Sequence, residues 1–198
     1  MITVSILSIW RSPDFAGNPP ERCYYCKREL FGTLAGLAAD NGIRFVLDGS
    51  NRDDALDFRP GSRAGRELGV RSPLREAGLT KAEIRELARR LGLPVWNKPS
   101  MACLASRFPY GTRIEPESLQ RVGAAEDFLR RLGFGQLRVR HHGAIARIEL
   151  APAELPRAAR RETARKIVSG LKKLGYRYVA LDLEGYRTGS LNEVLKKR

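Results

Sequence analysis

Apolar positions along the chain follow two rhythms, one helical and one alternating. Leu30, Leu34, Leu37 and Ala38 recur at helical spacing and predict a helix over 21–40, after a turn-rich stretch that ends in Pro19-Pro20. Ile43 to Leu47 is a short apolar run between Gly42 and Asp48-Gly49, which predicts a buried parallel strand. A polar, Gly- and Arg-rich loop is expected from Gly49 to about Leu74. Thr80, with Glu83 three residues on, is a capping box at the head of an apolar face made by Ile84, Leu87, Ala88 and Leu91. Leu93 to Trp96 is expected as another short strand, and the opening apolar stretch MITVSILSIW as a first one. Alternation of strand and helix points to α/β architecture with a parallel sheet.

The second half has a different order. The pattern predicts a helix over 116–132, strands over 136–140 and 145–150 with a turn at His142-Gly143, a basic helix over 158–174 and a strand over 178–183. Helix, strand, strand, helix, strand fits a small α+β domain with an antiparallel sheet. The expected boundary lies near Gly111 to Pro116, giving an α/β domain over 1–112 and the α+β domain over 113–198.

Composition changes this picture in two ways. Lys and Arg number 36 against 22 Asp and Glu, a net charge of +14, divided as 17 − 12 = +5 over residues 1–110 and 19 − 10 = +9 over 111–198. That balance suits anionic partners such as nucleotides, phosphorylated cofactors or nucleic acid. Of the 36 basic residues 28 are Arg, beside abundant Ala, Gly and Leu, which a coding bias also produces. No apolar run reaches the roughly 18 residues of a membrane span, and the start lacks a basic n-region and a cleavage site. A cytoplasmic protein without a membrane segment is expected.

The three cysteines carry the most chemistry. Cys23 and Cys26 stand in NPPERCYYCK at the start of the first helix, where amides at a helix N-terminus stabilise thiolates. Cys103 stands in KPSMACLASRFPYGT, with Ser106 and Arg107 close behind; Arg107 offers a planar donor for phosphate or carboxylate. An odd number of cysteines with no secretion signal argues against a disulfide framework. Three sulfurs with no fourth cysteine suit a four-iron cluster with one open iron. A zinc site completed by His141 or His142 is the competing reading, and unligated thiols are a third.

Candidate anion-handling residues lie in both halves. LDGSNRDD directly follows the expected strand over 43–47, the position where open α/β sheets bind ligands; there Asn51 offers hydrogen bonds and Asp53 or Asp54 an oxygen for Mg²⁺. An ordinary turn capping a helix explains the same string. Alternation puts Arg138 and Arg140 on one strand face, and with Glu149 they form either an anion site or an ion-pair ladder. Arg187 sits in a loop between Gly185 and Gly189. Adjacent histidines on a strand point to opposite faces, so His141-His142 is expected at an exposed edge rather than at a metal.

Taken in order, NPPERCYYCK, LDGSNRDDALDFRPGSRAGRELGVRSPL, LPVWNKPSMACLASRFPYGTRI, LRVRHHGAIARIEL and LEGYRTGSLNE resemble the LarE-type sulfur transferases of the PP-loop superfamily over residues 13–193. The resemblance implies ATP- and Mg²⁺-dependent adenylation of a carboxylate on a pyridinium mononucleotide, followed by sulfur insertion, in nickel-pincer cofactor biosynthesis for lactate racemase. Some members of that family sacrifice one cysteine, matched by Cys103. Members with three cysteines hold a four-iron cluster, and on that pattern Cys23, Cys26 and Cys103 are its ligands, with Cys103 nearest the chemistry. The resemblance also implies that Ser106, Arg107, Arg138, Arg187, Glu126 and Glu149 line the nucleotide and substrate site.

One part of the family pattern is absent. No Ser-Gly-Gly-x-Asp-Ser string, the loop whose amides wrap pyrophosphate, occurs in this sequence. The expectation is a partial PP-loop domain: a truncated product, a misassigned start, or one half of a split protein with a separate chain supplying the loop; self-association into a homo-oligomer is also expected. Two alternatives stand beside this reading. One is a tRNA-thiolating enzyme, disfavoured because no RNA-binding module is evident; the other is a non-catalytic remnant.

Overall fold

The computed structural model describes residues 12–56, 59–98 and 102–195. The stretch 1–10, expected as a strand, lies outside them. The chain divides into two compact units, Met1–Met101 and Ala102–Arg198. The dividing point precedes the expected turn at Gly111 to Pro116. The intervening segment belongs to the second unit because its side chains are anchored there: Phe108 is fully buried with its ring 5.0 Å from that of His141, and Tyr110 Oη donates to Asn192 Oδ1 at 2.9 Å.

The first unit is helical among its described residues. Helix α1 (Pro13–Ala16) leads to α2 (Arg22–Asp40), followed by a 3₁₀ turn at Arg52–Leu56, α3 (Gly61–Glu67), α4 (Pro73–Glu76) and α5 (Lys81–Arg90). Helix α3 comes close to α2 because residue 61 is glycine. A Cβ there would lie 2.9 Å from Lys27 Cγ and 3.1 Å from the Cys23 carbonyl oxygen. Phe31 and Ala64 are buried, and Tyr24 Oη donates to Glu67 Oε2 at 2.7 Å under the Arg63 guanidinium. Thr80 accepts from the Glu83 amide and Glu83 from the Thr80 amide, so the expected capping box forms.

Two expected strands are not strands here. Residues 43–46 belong to no regular element, and Leu47 makes a single parallel bridge to Arg71, with Arg71 N donating to Val46 O at 3.0 Å and Asp48 N to Arg71 O at 2.9 Å. A strand needs a neighbour along its length, and among the described residues this segment has one only at its end. Ile43, Phe45 and Leu47 are accordingly exposed rather than buried. Leu93 to Trp96 falls in a turn, held by Trp96 N donating to Leu93 O, with Val95 and Trp96 exposed. Asp48 is fixed at this corner. Burial pushes its carboxyl up, but hydrogen bonds from Ser72 and Ser50 together outweigh that and hold it below the usual carboxylate value. Among the described residues no helix is long and apolar enough to cross a membrane.

The second unit is built on α6 (Pro116–Arg131), the strands β1 (Leu137–His142) and β2 (Ile145–Leu150), α7 (Leu155–Ala159), α8 (Arg161–Lys173) and β3 (Tyr178–Leu181). The sheet order is β1-β2-β3. Strands β1 and β2 are antiparallel, with Val139 opposite Ile148, and Gly143 at φ 60° opens the two-residue turn between them. The last strand departs from the expected all-antiparallel sheet: β3 pairs parallel to β2. The reason is the connection. Helices α7 and α8 carry the chain back to the starting end, as a crossover between parallel strands must. One sheet face packs Leu137, Val139, Ala146, Ile148 and Leu150 against Ala125 and Leu129 of α6 and Ile167 and Leu171 of α8. The other face carries Arg138, Arg140, Arg147 and Glu149, as β alternation requires.

Candidate functional site

Cys103 opens a 3₁₀ turn, Leu104–Arg107, and is exposed. Its carbonyl oxygen is heavily engaged. It accepts from Ser106 N at 2.9 Å, Ser106 Oγ at 2.7 Å and Arg107 Nη1 at 3.2 Å. Arg107 Nη1 also donates to Ala102 O at 3.1 Å and to Ser106 Oγ at 2.8 Å. The other side of the same guanidinium forms a two-bond fork with Glu126 on α6, Nε to Oε1 at 2.7 Å and Nη2 to Oε2 at 3.0 Å. Both residues are buried, at 2% and 0% exposure. Glu126 further accepts from Val139 N, an outward amide of edge strand β1, at 3.1 Å and from Arg130 Nη2 at 3.0 Å.

A second fork lies beside the first. Arg140 binds Glu149 through Nε to Oε1 and Nη2 to Oε2, both at 2.8 Å, on the diagonal between β1 and β2. Its remaining contacts tie two loops together: Nη1 donates to Ser106 O and Nη2 to Ser190 Oγ, each at 2.7 Å. Arg147 adds a bond to Glu149 at 3.1 Å. Of the two readings of this strand face, the ion-pair ladder is therefore realised for Arg140 and Glu149.

Arg138 lies on the same face, with its guanidinium 5.0 Å from the Tyr186 ring centre. Burial, together with the charges of Arg107 and Arg140, lowers its pKa from the usual arginine value. Among the described residues of this unit the buried charges are three guanidinium groups, of Arg107, Arg138 and Arg140, and two carboxylates, of Glu126 and Glu149. Arg187 is half-buried in the loop that follows β3, paired with Glu184 at 2.8 Å and Glu193 at 3.4 Å.

Thus the structure brings Ser106, Arg107, Glu126 and Glu149 into one network around the Cys103 loop, with Arg138 against it. Arg140, expected on its strand face in either an anion site or an ion-pair ladder, joins the network, and so does Ser190, which was not among the candidates. The strand alternation that exposed Arg138 was the signal for Arg140, whereas Ser190 had none. His141 departs from the exposed-edge expectation. It is buried, with Nδ1 3.2 Å from Tyr176 Oη and its ring against Phe108 and Tyr176, while His142 is exposed.

Cys23 and Cys26 lie in the first turns of α2 in the other unit, Cys23 exposed and Cys26 half-buried. The chain enters this helix through Asn18, buried at φ 52°, whose side-chain oxygen accepts from buried Arg22 at 2.5 Å. Asn51 and Asp53 are used locally: Asn51 Oδ1 accepts from Asp53 N at 2.9 Å, and Asp53 Oδ2 accepts from Lys81 N at the head of α5, also at 2.9 Å. Of the two readings of that string, the helix-capping turn is what these bonds build. Among the described residues no group of three or more His, Cys, Asp or Glu side chains is arranged to hold a metal ion.

No family model matches the chain. Curated relatives do. An uncharacterized protein of Synechocystis, slr1717, is 49% identical over 186 residues, 94% of this chain and 69% of its own length. The pyridinium-3,5-bisthiocarboxylic acid mononucleotide synthase of Lactiplantibacillus plantarum is 44% identical over 180 residues, 91% of this chain and 64% of that protein. An uncharacterized protein of Methanocaldococcus jannaschii, MJ0830, is 33% identical over 86% of this chain and 66% of its own length. The chain thus spans about two thirds of the length of the curated relatives it matches. Identity of this degree along nearly all of its residues means that the chain belongs to the LarE family, that of the pyridinium-3,5-bisthiocarboxylic acid mononucleotide synthase.

Proposed function

We propose that the chain performs sulfur insertion into an adenylated carboxylate of a pyridinium mononucleotide, an ATP-dependent step of nickel-pincer cofactor biosynthesis. The observation that carries this reading is the exposed Cys103, held on a loop that buried Arg107 and Arg140 fix by hydrogen bonds to its backbone. The name of the Lactiplantibacillus plantarum relative, a synthase of a bisthiocarboxylic acid mononucleotide, supports it.

The chemistry divides into two parts. ATP and the substrate carboxylate give an acyl adenylate and pyrophosphate; a sulfur nucleophile then attacks the acyl carbon, and AMP leaves with the bonding pair. In this chain Cys103 stands at the sulfur-transfer step. Arg138 and Arg187 take the phosphate and carboxylate groups, since planar guanidinium donors match both. Asn51 and Asp53 instead serve their own turn, Asn51 Oδ1 accepting from Asp53 N and Asp53 Oδ2 from Lys81 N.

Cys23, Cys26 and Cys103 are soft donors with exposed or half-buried thiols, and three thiolates are the ligand set of an iron–sulfur cluster with one iron left open. Such a cluster would supply a transferable sulfide and spare the protein's own sulfur. The test is anaerobic reconstitution with iron and sulfide, measuring iron per chain beside a Cys103→Ala control. About four irons per chain, lost with Cys103, is the result expected. Absence of iron, together with loss of the elements of hydrogen sulfide from Cys103 on turnover, would instead make Cys103 the sulfur source.

A further inference from the structure

The Cys103 loop is gripped from two sides by the same device. Arg107 holds the carbonyls of Ala102 and Cys103 and the Ser106 hydroxyl, and is itself held by Glu126. Arg140 holds the carbonyl of Ser106 and is itself held by Glu149. Every nitrogen of the Arg107 guanidinium is engaged inside the protein: Nε and Nη2 on the carboxylate, Nη1 on the loop. A guanidinium in this state has no fork left for a phosphate. Glu126, fully buried with four bonds to its two oxygens, is likewise closed to a ligand.

We propose that Arg107 and Arg140, each locked on its own buried glutamate, are positioning residues that fix the backbone of residues 102–106 and so set the direction of the Cys103 side chain for sulfur transfer, rather than binding substrate. The fixed carbonyl is the lever. Three donors converge on the oxygen of Cys103, so its backbone cannot rotate without breaking all three bonds, and the side chain leaves from a backbone of defined direction. Ser190, bonded to Arg140 Nη2, couples the loop that follows β3 to the same support. The catalytic part of this statement rests on the proposed place of Cys103 at the sulfur-transfer step, as cluster ligand or as sulfur donor. The clamp itself does not.

The test uses the full chain and amide hydrogen exchange, read peptide by peptide. In the double variant Arg107→Met/Glu126→Gln both buried charges leave together, and the Gln oxygen still accepts from Val139 N. Exchange across 102–109 is expected to rise roughly tenfold while the β1 and β2 peptides keep wild-type rates. Ser106→Ala, a milder change that removes the hydroxyl shared by Arg107 and the Cys103 carbonyl, is expected to move the same peptide in the same direction. Arg107→Lys keeps the charge without the fork and is expected to behave as the double variant does. With a preformed acyl adenylate as substrate, all three variants should lose turnover rate at unchanged KM. Wild-type exchange over 102–109 in Ser106→Ala and Arg107→Lys would overturn the clamp. Faster exchange with a raised KM and intact turnover rate would overturn positioning in favour of direct substrate contact. Faster exchange with both constants unchanged would sever the clamp from the chemistry.

Discussion

Replacing Glu126 by Gln should destabilise the second unit more than any other single change at the site. The carboxylate takes a two-bond fork from Arg107, one bond from Arg130 and one from Val139 N, all in a fully buried position. Glutamine can still satisfy Val139 N, so the loss falls on Arg107, which is only 2% exposed. Leaving one buried charge without its partner costs about 3–5 kcal/mol, against a domain stability of roughly 5–15 kcal/mol. Removing Arg107 instead leaves Glu126 paired with Arg130, whose side chain is 39% exposed. The loss there is two charged hydrogen bonds, partly recovered by packing, or about 2 kcal/mol. The double variant Arg107→Met/Glu126→Gln removes both charges and should be more stable than Glu126→Gln alone. Urea unfolding followed by hydrogen exchange in β1 and β2 measures all three. Glu126→Gln costing under about 1 kcal/mol, or a double variant as unstable as the two single losses added, would refute the buried-fork account.

Three further outcomes follow from other positions. Gly185 has φ 71°, and a Cβ there would lie 2.7 Å from the Leu150 carbonyl oxygen, so Gly185→Ala should lower stability by at least about 1–2 kcal/mol in thermal melts and loosen the loop bearing Arg187 and Ser190. Burial, Arg121 and His142 depress the His141 pKa below its ordinary 6.5, so the folded unit holds a neutral ring that the unfolded chain protonates first. That contribution is full above pH 6.5 and is lost as pH falls toward the depressed value; His141→Gln should flatten the decline in melting temperature over that range. Thr80→Ala, which removes the capping box of α5, should cost about 1 kcal/mol, read from exchange of the α5 amides.

Local signals in the sequence were legible where one residue type does one job. The capping box at Thr80 and Glu83 set the start of α5, Pro116 opens α6, and the alternation over 145–150 is β2 as read. Within the expected loop over 49–74, α3 and α4 form from Gly- and Arg-rich segments with no apolar period, although Pro73 at the first position of α4 is a start signal. The basic helix expected over 158–174 is interrupted at Arg160, which is extended at ψ 134° and begins α8 without a side-chain cap, so nothing in the string announced it. Apolar runs misled for a physical reason. Ile43 to Leu47 has strand composition, but composition does not supply the neighbouring strand that makes a ladder. At the site, alternation placed Arg138 and Arg140 together, whereas the fork between Arg107 and Glu126 joins a loop to a helix across 19 residues and has no period to read. Its consequence is the main revision to the site: Arg107 and Glu126 hold each other and the cysteine loop.

The most direct test of the sulfur-transfer reading is a single-turnover reaction between the reduced chain, reconstituted with iron and sulfide, and a preformed acyl adenylate of a pyridinium carboxylate mononucleotide. Supplying the adenylate isolates the sulfur step from ATP use. Thiocarboxylate and AMP should appear in equal amounts with the wild-type chain, and thiocarboxylate should be absent with Cys103→Ala while the β1 and β2 amides stay protected. Thiocarboxylate formed equally well without the Cys103 sulfur, or AMP released by hydrolysis alone in the wild type, would contradict the account.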